Sequence, residues 1–440
     1  MKTDRLFSII LLLTCSWFLE RIEASTTDVE ADKEEVAKVL PYQFSIPEKA
    51  IVLSGDSSKI NPDVIAVIYD ADNLAFDDPS VPRFQFFDRQ GKTILGIGGQ
   101  MAVFGYLDFG GMVDGYEFDV WNIGVPTSPM QKSHIGASPS QSAIFLKLAH
   151  STKLGVFSMY INANFAQGEN KNSFGLRQAY VSLAGFTAGY ARSTFSDPGA
   201  TMPTIDPFGP IGNVSKRNIL FSYRKNFKSH FYGTISVEMP KATYTTDNSV
   251  EKLHQKVPDI PLNLQYTWFN GSHIRFSAIL RNLPYKDLLT NRNKLVTGYG
   301  FLLSGLIAPN KFVDIIYQIS YGRGIGYYIK GTSGHGVDLI YGEKPGEMIA
   351  PPVFAFVGGV EVNLSKNVYM TASYSMARLY EQSHLGGDMF RRGAYINANT
   401  FWSPLDGLQV GIGYIHGRKT DVSLESGVSN RLLAMVKYSF

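Results

Sequence analysis

Eight basic residues, Lys147, Arg177, Arg192, Arg224, Arg275, Arg281, Arg431 and Lys437, are the side chains of this sequence most able to act together on a ligand. The chemistry open to them is the holding of anions. Guanidinium and ammonium groups form short, charge-assisted hydrogen bonds to carboxylates, and Arg can offer two parallel donors. Glu238, Asp314 and Glu361 are the carboxylates to set against them. All but Arg177 and Arg192 fall by parity on the same polar faces as those three, a modest excess of positive charge. Arg177 and Arg192 lie in segments whose alternation is weak, so parity does not place them.

Bond-making chemistry has less to stand on. A hydrolase needs a Ser, a His and an orienting group brought together. His150 beside Ser151, and His416 with Ser403, are the only suggestive neighbours, and nearness in sequence does not make a triad. The eight histidines are scattered, with no His-x-x-x-His pair or carboxylate cluster, so no metal site is expected. YGRGIG at 321–326 has the look of a dinucleotide loop but runs into YYIKG rather than a helix, and no cofactor is expected. A net charge of +3 carries no basic excess of the kind nucleic acid attracts.

The elements that must position these charges are alternating strands. SHFYGTISVEM sets Phe231, Gly233, Ile235, Val237 and Met239 on one face and His230, Tyr232, Thr234, Ser236 and Glu238 on the other. VFSMYINANF and KNVYMTASYSM repeat the pattern. RLLAMVKYSF does so too, with Leu432, Ala434, Val436, Tyr438 and Phe440 opposite Arg431, Leu433, Met435, Lys437 and Ser439. Sixteen such segments recur, at 93–109, 142–149, 153–165, 173–183, 186–195, 217–224, 229–239, 261–269, 272–281, 295–307, 311–321, 353–363, 367–377, 392–402, 407–417 and 429–440. Segments of about ten residues suit strands tilted across a bilayer, and past the amino terminus no run reaches the ~18 apolar residues of a membrane helix.

Connection lengths settle the class. Long connections at 110–141, 166–172, 196–216, 240–260, 282–294, 322–352, 378–391 and 418–427 alternate with the short turns HST, AG, KNFK, NG, APN, LSK and SPLD. An outer-membrane barrel with both termini in the periplasm requires that alternation. Phe227, Trp268, Phe269, Trp402, Tyr438 and Phe440 fall beside the short turns or at the last strand, as an interfacial girdle would. The expected fold is all-β, a 16-stranded antiparallel transmembrane β-barrel in the outer membrane of a Gram-negative cell. Arg177 and Arg192 then join the lumen set, because a charged residue on the lipid face costs about 2 to 4 kcal/mol at mid-membrane.

Ahead of the barrel, 1–24 reads as a secretory signal peptide: Lys2 and Arg5, an apolar run over 6–19, then Ala24. Thr14 before Cys15 is a poor match to a lipoprotein signal. Cys15 is the single cysteine, so cleavage would leave no thiol for disulfides, nucleophiles or metal. Residues 25–92 read as a periplasmic extension, with a short helix around Val29, Val36 and Leu40 and otherwise irregular chain with two or three short strands. The barrel takes 93–440. The chain is too short for the roughly 22 strands and plug domain of a TonB-type transporter.

LRQAYVSLAGFTAGYARSTFSDPGATMPTIDPFGPIG at 176–212, GIGGQMAVFGYLDFGG at 96–111, VPDIPLNLQYTW at 257–268, HIRFSAILRNLPYKD at 273–287, GYGFLLSG at 298–305, YGRGIGYYI at 321–329 and the closing KYSF resemble the DcaP-like trimeric outer-membrane porins. The resemblance spans nearly the whole barrel. It implies a trimer passing small anionic, dicarboxylate-like solutes by passive diffusion. In sixteen-stranded porins the loop after the fifth strand folds into the barrel, so 196–216 is expected to narrow the lumen. Asp197 and Asp206 would then face the basic wall and set up a transverse field. Membrane lipid and lipopolysaccharide on the outer wall, and the barrel assembly machinery at Phe440, are the other expected partners. Glycines such as Gly96, Gly98 and Gly99 would let neighbouring barrels pack closely. An occluded structural or adhesive barrel is the alternative function, with an outer-membrane hydrolase behind it.

Overall fold

A computed structural model describes residues 51–52, 61–70, 74–111, 113, 115–127, 133–167, 173–239 and 241–440. The expected signal peptide with Cys15, and the helix expected around Val29, Val36 and Leu40, lie outside the described residues.

Sixteen antiparallel strands form the wall: β1 (Thr93–Phe109), β2 (Ala143–Thr152), β3 (Gly155–Gln167), β4 (Ser173–Leu183), β5 (Phe186–Arg192), β6 (Arg217–Lys228), β7 (Phe231–Met239), β8 (Ile260–Thr267), β9 (His273–Asp287), β10 (Arg292–Asn310), β11 (Val313–Arg323), β12 (Pro352–Asn363), β13 (Val368–Leu379), β14 (Phe390–Leu405), β15 (Leu408–Asp421) and β16 (Ser426–Ser439). Each pairs with the next, and β16 returns to β1 with Arg431 opposite Asp108 and Ser439 opposite Gln100, which closes the barrel. Alternation assigns the faces. In β7, Ile235, Val237 and Met239 are exposed outside while Ser236 and Glu238 are buried inside; in β16, Leu432, Val436 and Tyr438 face out and Arg431 and Met435 face in. The tight turns carry the left-handed backbone that short hairpins demand: Ala184 and Gly185 at φ 51° and 85°, Asn270 and Gly271 at 59° and 69°.

Phe227, Phe269, Trp402 and Tyr438 are exposed at the short-turn end. Phe440 continues the last ladder: its N–H donates to the Gly99 carbonyl at 2.9 Å, and the Gly99 N–H donates to its carbonyl at 2.8 Å. A Cβ on Gly99 would stand 2.9 Å from the Phe440 ring, one on Gly98 2.6 Å from Phe145, and one on Gly96 2.5 Å from Pro82. The room these glycines leave is therefore filled within the chain, and the expectation that they serve contacts between barrels gives way.

Two expected loops are extensions of the wall. β9 and β10 stay in register as far as Asp287 and Arg292, leaving 288–291 as the connection, and β15 and β16 leave 422–425. Leu283 and Tyr285 on the raised hairpin pack against Val250, Leu339 and Met348 of the loops beside it, which keeps the strands paired above the membrane. Three other long loops turn inward. Phe118, Val120 and Ile123 from 110–142, Phe195, Ile205, Ile211 and Val214 from 193–216, and Ile325, Tyr328 and Ile329 from 324–351 form one apolar core with Phe104, Val353 and Tyr395 of the wall. These loops are apolar because they must bury one another inside the barrel.

The segment before β1 is more ordered than its sequence suggests. Helix α1 (Pro62–Tyr69) opens with Asn61, whose side chain accepts from the Asp63 N–H, and with Pro62 in its first turn. Val64 and Ile68, one turn apart, are buried against Ile94 and Ala149. Residues 74–82 then enter the lumen, and Phe84–Phe87 pairs with the lower part of β1, Phe84 opposite Ile97 and Phe87 opposite Ile94. The sequence reading placed all of 25–92 in the periplasm; 74–82 departs from it because its acidic pair meets arginines of the wall.

Candidate functional site

Three arginines on three consecutive strands converge inside the barrel. Arg192 is the last residue of β5 and Arg217 the first of β6, directly opposite in register. β5 is short because the chain leaves the wall there to cross the lumen, so this pair sits at the root of the infolded loop. Arg177 reaches the same point through a bulge. Asn162 pairs with Gln178 and Ala163 with Leu176, which leaves Arg177 as the extra residue of β4. That irregularity is why strand parity failed to place it.

What the arginines hold is the chain's own acidic pair, Asp77 and Asp78. Arg192 Nη2 lies 3.0 Å from Asp77 and 2.7 Å from Asp78, with its Nε 2.9 Å from the same Asp78 oxygen. Arg217 Nη2 is 3.1 Å and Arg177 Nε 3.2 Å from the other Asp78 oxygen, and Arg177 also bonds Asp77. The Asp78 side chain is fully shielded from solvent, and the Asp77 side chain one-third exposed. Burial opposes ionisation of both, but the surrounding guanidiniums outweigh it and hold both carboxyls well below the usual range. Lys330 stands nearby. Its ammonium is pulled down to about 8, first by burial and further by Arg192 and Arg217, with Asp77 and Asp206 opposing.

The loop leaving β5 spans the lumen. Gln318 donates to the Ala200 carbonyl at 2.8 Å, Thr371 to Pro203 at 2.9 Å, and Gln141 to Ile205 at 2.8 Å. Asp197 accepts from Ser304 at 2.6 Å and lies 3.0 Å from His273 Nε2 and 3.8 Å from Arg275. Burial opposes its ionisation, yet Arg275 and His273 keep its carboxyl below the ordinary range. Asp206 accepts from the Gly209 N–H and the Tyr395 hydroxyl, both at 2.9 Å, on the far wall.

The other basic residues divide by task. Arg281 joins Asp259 at 2.7 Å and Asp338 at 2.6 Å, and Arg431 joins Asp108; all five side chains are shielded from solvent or nearly so. Arg275 donates to Gln265, the Ser196 carbonyl and Tyr232. These arginines face inward but fasten loops. Lys147 caps α1, donating to the carbonyls of Ile68 at 3.1 Å and Asp70 at 2.8 Å. Arg224 stacks on Tyr232 at 3.6 Å and borders a cavity of about 230 Å³ that Leu74 also lines. Lys437 borders a smaller one, about 30 Å³, beside Asp77. Among the acids, Glu238 accepts from the Thr194 N–H, Asn218 and Ser236, while Asp314 and Glu361 stand opposite each other on β11 and β12.

Asp77, Asp78, Arg217 and Lys330 were not singled out from sequence. Adjacent acids before a proline are common in loops, and only the arginines a hundred residues away give them meaning. The suggestive Ser and His neighbours are not brought together. His150 bonds Thr93 while Ser151 accepts from Asn61. His416 pairs with Ile396, seven residues along β14 from Ser403, about 23 Å at 3.3 Å per residue.

Residues 130–279 match the Porin subfamily. The outer membrane channel DcaP of Acinetobacter baumannii is similar in structure, with a TM-score of 0.70 at 18% identity over 80% of this chain and 99% of that one. The anion-selective porin from Comamonas acidovorans aligns at 0.52 and 9% identity, over 79% and 100%. OmpT of Vibrio cholerae aligns at 0.50 and 10%, over 80% and 100%. No curated protein matches the sequence. At such identities the likeness speaks for fold. The Porin-subfamily match, residues 130–279, thus lies within a closed sixteen-stranded barrel whose fold is similar to that of the outer membrane channel DcaP.

Proposed function

We propose that the barrel passes small hydrophilic anions, dicarboxylate-like solutes foremost. The observation that carries this reading is the convergence of Arg177, Arg192 and Arg217 at the root of the infolded loop, holding carboxylates. Arg275, Arg281 and Arg431 are matched by Asp197, Asp259, Asp338 and Asp108, so the excess of positive charge that favours anions is at Arg177, Arg192, Arg217 and Lys330, set against Asp77 and Asp78. Asp197 and Asp206 supply the negative side of a transverse field across the constriction, so that an arginine-held carboxylate is oriented without being trapped. The barrels assemble as a homotrimer, with the apolar outer surface against lipid and lipopolysaccharide and Phe440 offered to the assembly machinery.

The test is the reversal potential of the purified protein in a planar bilayer under a potassium chloride gradient. An anion-selective potential that weakens in Arg177→Ala and Arg275→Ala supports the reading. Cation selectivity, or selectivity indifferent to both substitutions, overturns it.

A further inference from the structure

We propose that residues 74–82 are a plug that closes the lumen at rest, with Asp77 and Asp78 standing in for a dianionic solute on the Arg177, Arg192 and Arg217 cluster; a dianion opens the channel by replacing them. The proposal rests on the anion-channel reading for the identity of the opener, but not for the plug itself.

Three observations converge on it. First, the segment meets the infolded loop: Phe76 and Asp77, with Pro203 and Thr204 of that loop and Tyr369 and Lys437 of the wall, line a cavity of about 30 Å³. A single water needs about 10 to 15 Å³, so that cavity holds water but not a solute of several heavy atoms. The start of the segment borders a second cavity, of about 230 Å³, lined by Leu74, Lys147, Tyr160 and Arg224 and large enough for such a solute. Segment 74–82 lines both cavities, Leu74 the larger and Phe76 and Asp77 the smaller.

Second, the middle of the segment is held by ion pairs. Leu74 packs against Phe145 and Tyr160, and the Tyr160 hydroxyl donates to the Pro79 carbonyl at 2.8 Å. At its far end Pro82 lies over Gly96 and its carbonyl accepts from Gln85, and between these ends six contacts join Asp77 and Asp78 to the arginines. Third, those contacts are exchangeable in kind. Withdrawing the aspartates alone would leave three guanidiniums crowded and unpaired, at a cost of several kcal/mol for buried charge. A solute bringing two carboxylates restores the same donors and acceptors, so the exchange leaves no charge uncompensated. A monoanion cannot do this for the whole cluster.

Single-channel recording of the full-length protein tests the plug, with Asp77→Asn/Asp78→Asn and with a second variant in which 74–82 is replaced by a Gly-Ser linker of equal length. Heat-modifiable gel migration confirms that each barrel is folded. In potassium chloride the native protein should be closed most of the time, and both variants should show an open probability higher by about tenfold or more, as expected from loss of buried ion pairs. Succinate should raise the open probability of the native protein and leave that of the variants unchanged, while acetate at equal charge does neither. Folded variants as silent as the native protein, or a native protein that conducts as freely as they do, overturn the plug. Variants that open but pass cations uphold the plug and overturn the anion-channel reading instead.

Discussion

Arg431 and Asp108 stand opposite each other across the seam where β16 meets β1, joined by two parallel hydrogen bonds, Nε to Oδ1 at 2.6 Å and Nη2 to Oδ2 at 2.8 Å. The remaining Arg431 donors reach the carbonyls of Val113, Gly115 and Tyr116, so one guanidinium ties the last strand, the first strand and the first loop. Arg431→Ala leaves Asp108 buried without its partner, and the expected loss is about 3 to 5 kcal/mol. The temperature at which the folded gel band disappears should fall clearly. A paired Arg431→Met/Asp108→Leu variant should recover most of it. Equal temperatures for native protein and Arg431→Ala would rule out the seam pair as a source of stability.

Acid should not release the 74–82 segment in the mildly acidic range. The folded-state values of Asp77 and Asp78 lie well below the usual carboxylate range, so their contribution is complete above the unfolded value of about 3.9 and fades only as pH falls through the depressed folded values. Open probability at pH 5 should equal that at pH 7. A steep rise between the two would mean that the aspartates are not held as described.

Lys330 should give the channel an alkaline sensitivity. With its ammonium at about 8, it is mostly charged at pH 7 and mostly neutral at pH 9. The ratio of chloride to potassium permeability during openings should therefore fall across that interval. Lys330→Arg should keep the ratio high at both values, and Lys330→Gln should hold it low. A native ratio that is flat from pH 7 to 9 would exclude Lys330 from the permeation field.

Arg275 reaches the infolded loop at the Ser196 carbonyl and lies 3.8 Å from Asp197. Arg275→Lys keeps the charge but loses the planar fork that serves Gln265, Ser196 and Tyr232 together. Loss of these bonds should destabilise the loop by about 1 to 3 kcal/mol and make single-channel current noisier without reversing selectivity. Quiet openings in the variant would show that Ser304 and His273 suffice to anchor Asp197.

The wall was readable from sequence because each strand alternates on its own and needs no distant information. The sixteen expected segments correspond to the sixteen strands, with ends that move by a few residues where hairpins such as Leu283 and Tyr285 rise above the membrane to pack on loops. The lumen was less readable. Arg177 was recognised as an inward candidate, but its place depends on a single extra residue in β4 that no periodicity announces. Asp77 and Asp78 depend on contacts to residues 177, 192 and 217, and LAFDDPSVP has no period that could reveal them. α1 did leave a mark, Asn61-Pro62-Asp63 followed by Val64 and Ile68, which is a helix start written over barely two turns.

β1 is longer than either of its seam partners. β16 covers it from Gln100 to Phe109, and Phe84–Phe87 covers the same edge from Ile94 to Ile97. The two divide one edge between the end of the chain and a strand made before β1 itself. As the barrel folds, the lower half of that edge can be covered by a segment next to it in sequence, while the upper half waits for the last strand to arrive. Only one vacancy is then open to the incoming strand, and it has a floor. A final strand slipped downward would collide with Phe84–Phe87, so the amino-terminal segment acts as a doorstop that sets the height at which the barrel shuts.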